Sequence, residues 1–81
     1  MDLASFSAHK IGGPKGIGAL YVKRGTKMFT TAFGGGQERG LRSGTEAVFL
    51  IAGFAEAMRL TYRSREADNE AMRNIWHYTV K

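Results

Sequence analysis

An α/β fold is what this 81-residue sequence predicts, with short strands first and helix after. Three observations carry that expectation. The run Ile17 to Val22 is apolar apart from Gly18, as in a strand covered on both faces. Gly12, Gly13, Pro14 and Gly16 stand before it and punctuate the chain as a turn. From Glu46 to Val80 apolar residues recur at helical spacing.

Taken in order, Leu3 to Ser7 mixes small, apolar and hydroxyl residues and reads as a short strand. The turn follows, with Pro14 fixing one backbone angle and the glycines admitting conformations closed to other residues. Gly16 to Lys23 is the second strand. Arg24-Gly25-Thr26-Lys27 reads as a hairpin-type turn into a third extended piece, Met28 to Phe33, rich in threonine and aromatics and ended by Gly34-Gly35-Gly36. Ser43 with Glu46 three residues on is a capping-box signature, so the helix is expected to start near Thr45 or Glu46. Its expected core stripe is Val48, Ile51, Ala52, Ala55, Met58 and Tyr62, with Phe49, Leu50 and Phe54 on other faces. A second helical pattern runs from Arg65 to about Val80. The junction at Arg63 and Ser64 has no Gly or Pro, which leaves one long helix or two shorter ones open. The chain thus divides into a strand and glycine-rich loop segment, 1–45, and a helical segment, 46–81.

Composition excludes several function classes. The net charge of +5 comes from twelve Lys and Arg scattered along the sequence, without the basic block or recognition module that nucleic-acid binding requires. Cysteine is absent, so disulfides, thiolate metal sites and a thiol nucleophile are excluded from these residues. His9 and His77 lie far apart with no carboxylate at ligand spacing, and no metal is expected. The run Ala47 to Ala55 is too short to cross a bilayer and no basic leader opens the chain, so a soluble cytoplasmic protein with no membrane contact is expected. A helix apolar nearly all round needs more cover than so short a chain supplies. Homo-oligomerisation or a complementary domain is the expected remedy.

The most informative stretch is Ser7-Ala8-His9-Lys10 followed by the glycine-braced turn. A lysine amine has a reference pKa of about 10.4 and condenses with an aldehyde only where its surroundings favour the neutral amine or the imine. A lysine leaving a strand into a constrained turn could line such a pocket. The glycine clusters keep neither nucleotide-loop spacing, so a nucleotide site is not expected.

The run SFSAHKIGGPKGIGALYVK, with GGGQERGLRSGT at Gly34 to Thr45, resembles the cysteine desulfurases of the class V aminotransferase family, which are pyridoxal-phosphate (PLP) enzymes. The resemblance is dense from Asp2 to Thr45, looser to about Tyr62, and generic beyond. It implies a piece of the large domain of a fold-type-I PLP-dependent transferase. In that family L-cysteine is converted to L-alanine with sulfur transfer, a step that serves iron–sulfur cluster assembly. By the resemblance, Lys10 aligns with the lysine that holds PLP and then moves protons at the substrate α-carbon. Ser7 and His9 align with ligands of the PLP phosphate, and two-residue spacing on an extended segment would put them on one side. Thr45 closes a motif that resembles a loop reaching across a dimer, its threonine touching the partner's PLP phosphate. Gln37, Glu38, Arg39 and Arg42 match the same block, and neither arginine is assigned to the substrate carboxylate.

The match starts partway along the family pattern, so a fragment or truncated reading frame is expected. The residues that stack on and protonate the PLP ring lie upstream in the family. The sulfur-accepting cysteine and substrate arginine lie downstream, and the chain by itself is expected to be inactive. Two alternatives stay open: a fragment of a selenocysteine lyase or other class V aminotransferase, and a non-catalytic helical oligomer or interaction module.

Overall fold

The computed structural model describes residues 1–80. Strand β1, Leu3–Ser7, pairs antiparallel with β2, Gly18–Val22, in register Leu3 with Val22 through Ser7 with Gly18. A backbone hydrogen bond from Lys23 N to Asp2 O, 2.8 Å, closes the open end of the ladder. At its other end Gly18 lies hard against the partner strand, where an added Cβ would sit 2.7 Å from the Phe6 carbonyl oxygen. That oxygen cannot retreat without breaking the ladder. Gly18→Ala is therefore expected to destabilise the hairpin by about 1–3 kcal/mol, read as a lowered urea midpoint by circular dichroism.

The turn expected at Arg24 to Lys27 forms: Thr26 N donates to Lys23 O at 3.1 Å and Gly25 takes φ 90°. The third strand does not. Met28 to Phe33 makes only an isolated parallel bridge, Ala32 with Arg42, and the Thr30 hydroxyl lies 3.0 Å from the Leu41 carbonyl as donor. Threonine and aromatic content favours a pleated, half-covered surface, but the segment lies along neither open edge of the two-stranded sheet and that preference is not realised.

The rest is one helix, α1, Val48–Thr79, of 32 residues, uninterrupted at Arg63 and Ser64. It starts later than the capping box predicts. Gly44 turns with φ 127° between Ser43 and Glu46, the helix N-cap is Ala47, and no side chain caps it. On its outer surface Arg59 donates to both Glu56 oxygens, at 2.9 and 2.6 Å. The hydrogen bonds, with the opposite charge, hold the Glu56 carboxyl below and the Arg59 guanidinium above their usual ranges.

The face α1 turns inward is also not the expected one. Phe54 and Ala57 are buried and Leu50 and Gly53 half-buried, whereas Val48, Met58 and Tyr62 stay more than half exposed. Close approach decides this: a Cβ on Gly53 would lie 3.0 Å from Pro14 Cγ, and one on Gly13 would lie 3.2 Å from Ala57 Cβ. Small residues on the helix meet the glycine-proline turn and bring Phe54 and Leu50 inward with them, which leaves the stripe through Val48, Met58 and Tyr62 outside. Nor is β2 covered on both faces, since four of its five residues are exposed.

Ala8, Phe54 and Ala57 make up the buried core of the described residues. The accessible surface is 7224 Å², against about 4,800 Å² for a compact protein of this mass. The radius of gyration is 17.0 Å, against about 12 Å for a compact domain of this length. Large apolar side chains including Phe29, Phe33, Phe49 and Trp76 face outward. Among the described residues no helix is long and apolar enough to cross a membrane.

Candidate functional site

Ala8 of the core stands two residues before the candidate lysine, Lys10. β1 ends at Ser7, still extended with φ −118° and ψ 124°, and Ala8–Ile11 form one 3-10 turn closed by Gly12 in the left-handed region at φ 80°. Glycine adopts that angle without the steric cost other residues meet. Ala8 anchors the corner. Its methyl is fully buried, its N–H donates to Ile17 O at 3.2 Å, and its carbonyl accepts from Gly12 N and from Gly13 N at 2.8 Å. The backbone on either side of positions 9 and 10 is thereby fixed, while the His9 and Lys10 side chains are exposed.

Ser7, half-buried, thus opens a corner whose next residues are His9 and Lys10. The geometry differs from the sequence expectation in one respect: His9 is on a 3-10 turn, where residues advance by about 120°, so strand alternation no longer aligns it with Ser7. Among the described residues none of these three side chains makes a hydrogen bond or ion pair.

Thr45 is not brought to this corner by any hydrogen bond among the described residues, and it lies exposed three positions before α1 begins. Its loop is ordered from within. The Gln37 side-chain oxygen accepts from Gly44 N at 3.1 Å, Ser43 N donates to Ala32 O at 3.3 Å, and the Arg42 guanidinium donates to the Ser43 carbonyl. Gly40 N reaches the carbonyls of Gly36 and Gln37, both at 3.0 Å. Between them Glu38 and Arg39 both take positive φ, 50° and 57°, at a cost of about 1–2 kcal/mol per residue.

Sequence reasoning missed Ala8, Gly53, Ala57 and Thr61. The Thr61 hydroxyl lies 3.4 Å from the Ile11 carbonyl, fifty residues away. The available signal was the small-residue spacing Gly53 and Ala57, one helical turn apart, which marks a face for close approach.

Comparisons with known proteins agree with this architecture. A cysteine desulfurase IscS of Methylococcus capsulatus is 53% identical over 77 residues, and those of Acinetobacter baumannii and Clostridium botulinum are 52% and 47% identical over 77 and 75 residues. Each alignment covers 93% of this chain and 19% of the relative, so the chain spans about a fifth of the length of those proteins. A solved structure titled NifS-like protein superposes with a TM-score of 0.89 at 44% identity, covering 99% of this chain and 22% of that one. The two strands and long helix therefore have the conformation of part of a larger α/β protein. The model of class-V aminotransferases matches residues 1–80, and the chain belongs to that family.

Proposed function

We propose that this chain is the cofactor-lysine segment of a PLP-dependent cysteine desulfurase, with Lys10 as the residue that carries the cofactor. The observation that supports this best is the corner itself: Ala8 is locked by burial and by both its backbone groups, and Lys10 stands two residues further on, its amine in no hydrogen bond or ion pair among the described residues. The donor set suits the group. An amine can take an aldehyde, and a hydroxyl at Ser7 and imidazole at His9 can donate to a phosphate. When bound, PLP supplies an electron sink for the substrate α-carbon.

In this reading Lys10 would hold the cofactor aldehyde through its amine and, as a free amine beside bound L-cysteine, would carry a proton to and from the substrate α-carbon. Ser7 and His9 hold the phosphate, and Thr45 serves the phosphate of a partner subunit. The sulfur acceptor comes from outside these residues, which contain no cysteine. Turnover by the 81-residue chain alone is not expected. A selenocysteine lyase would use the same lysine segment and is separated by assaying both amino acids with the complete enzyme. The direct test incubates the chain with PLP, reduces with borohydride and maps the modified residue. Label concentrated on Lys10 is expected; label spread evenly over the lysines overturns the proposal.

A second reading, self-association, is favoured by the outward-facing apolar side chains and the 7224 Å² of accessible surface. The excess over a compact fold exceeds the roughly 800 Å² per partner buried in a standard interface. Sedimentation is expected to give a dimer or larger species at micromolar concentration, and a compact monomer contradicts it.

A further inference from the structure

We propose that Thr61 on α1 is a positioning residue for the Lys10 turn, acting through the Ile11 carbonyl. The inference rests on the cofactor-lysine reading for its consequence, but on geometry for its substance. A 3-10 turn leaves its last carbonyls without partners inside the turn. Here the Ala8 carbonyl is satisfied by Gly12 and Gly13, and the Thr61 hydroxyl reaches the Ile11 carbonyl, on the residue that follows Lys10. It is the one side-chain hydrogen bond between α1 and the turn among the described residues.

Thr61 stands at the end of a row. Gly53, Ala57 and Thr61 follow one another at four-residue intervals along one face of α1. Gly53 meets Pro14, and Ala57 meets Gly13, which also lies against the buried Ala8. The first two contacts set how close the helix comes, and both lie on the Pro14 side of Lys10. The bond from Thr61 adds to the Ala8 hydrogen bonds a directional restraint from the helix, one residue from the lysine. At 3.4 Å it is long for a hydroxyl donor, so it steers the turn while leaving some play.

The test compares Thr61→Val and Thr61→Ser in the full chain. Thr61 is exposed, so either change leaves the core of Ala8, Phe54 and Ala57 as it is. Two readouts are taken: amide hydrogen exchange at Gly12 and Gly13 without cofactor, and the share of borohydride-fixed PLP on Lys10 at sub-saturating PLP. Thr61→Val is expected to speed both amides roughly twofold, the low end of what one hydrogen bond contributes, as suits a long and exposed one, and to lower the Lys10 share. Thr61→Ser is expected to match the wild type. Exchange unchanged in the valine variant overturns the positioning role, as does a serine variant that behaves like valine. If the wild type labels no single lysine while the amides respond as expected, the cofactor reading fails and the positioning stands.

Discussion

Replacing Lys10 by alanine is expected to abolish the site-specific PLP adduct, leaving only the weak label that other surface lysines acquire. The chain offers an internal control, because Lys15, Lys23 and Lys27 are also exposed and should label equally before and after the change. Lys10→Arg should fail as fully as alanine. Arginine keeps the positive charge but stays protonated and cannot form the bond, so charge and nucleophile are separated by one pair of variants. If Lys10 carries the cofactor as proposed, the same change in the complete enzyme would remove both the attachment point and the proton carrier, and loss of the proton transfer alone would cost about 10²–10⁴-fold in turnover. Borohydride reduction with peptide mapping reads the adduct, and alanine release from L-cysteine reads turnover. A Lys10→Ala enzyme that retained either at the wild-type level would place the chemistry on another residue.

The second large effect is expected at Gly13. A methyl there would sit 2.9 Å from the Ala8 carbonyl oxygen and 3.2 Å from the Ala57 methyl, both parts of the small core. Neither can yield cheaply. The carbonyl is held by Gly12 and Gly13 themselves, and Ala57 belongs to a helix that cannot move one residue alone. Gly13→Ala should therefore push α1 off the lysine turn at a cost of about 1–3 kcal/mol. Urea unfolding should show the loss, and exchange at Gly12 should rise with it. An unchanged midpoint would mean that α1 and the turn are not packed as described.

How much of this was legible beforehand depended on whether the signal was local. Leu3 to Ser7 was recognisable as a strand with its bounds intact, and the turn at Arg24 to Lys27 was readable because Gly25 supplies the positive φ it needs. The Met28 to Phe33 strand failed because composition does not decide pairing: the β1–β2 sheet keeps an open edge on each strand and the segment lies along neither. The capping box failed at Gly44, whose backbone bends between its two members. The inward face of α1 differs because helical spacing alone does not say which of several apolar stripes turns inward: the row through Leu50, Gly53, Phe54 and Ala57 does, since Gly53 and Ala57 let the helix approach the glycine-proline turn. Lys10 was singled out from a lysine at a strand exit and from motif likeness, but Ala8, which holds it, carries no chemical signature at all. Thr61 lies fifty residues from its partner and could be found only in three dimensions.

The self-braced loop at Gln37 to Gly44 has a further meaning. A segment that already holds its bends, including the unfavourable ones at Glu38 and Arg39, surrenders little freedom when another surface meets it. Most of the ordering cost is met within the chain, so a surface that met this loop would encounter a shape instead of having to mould one.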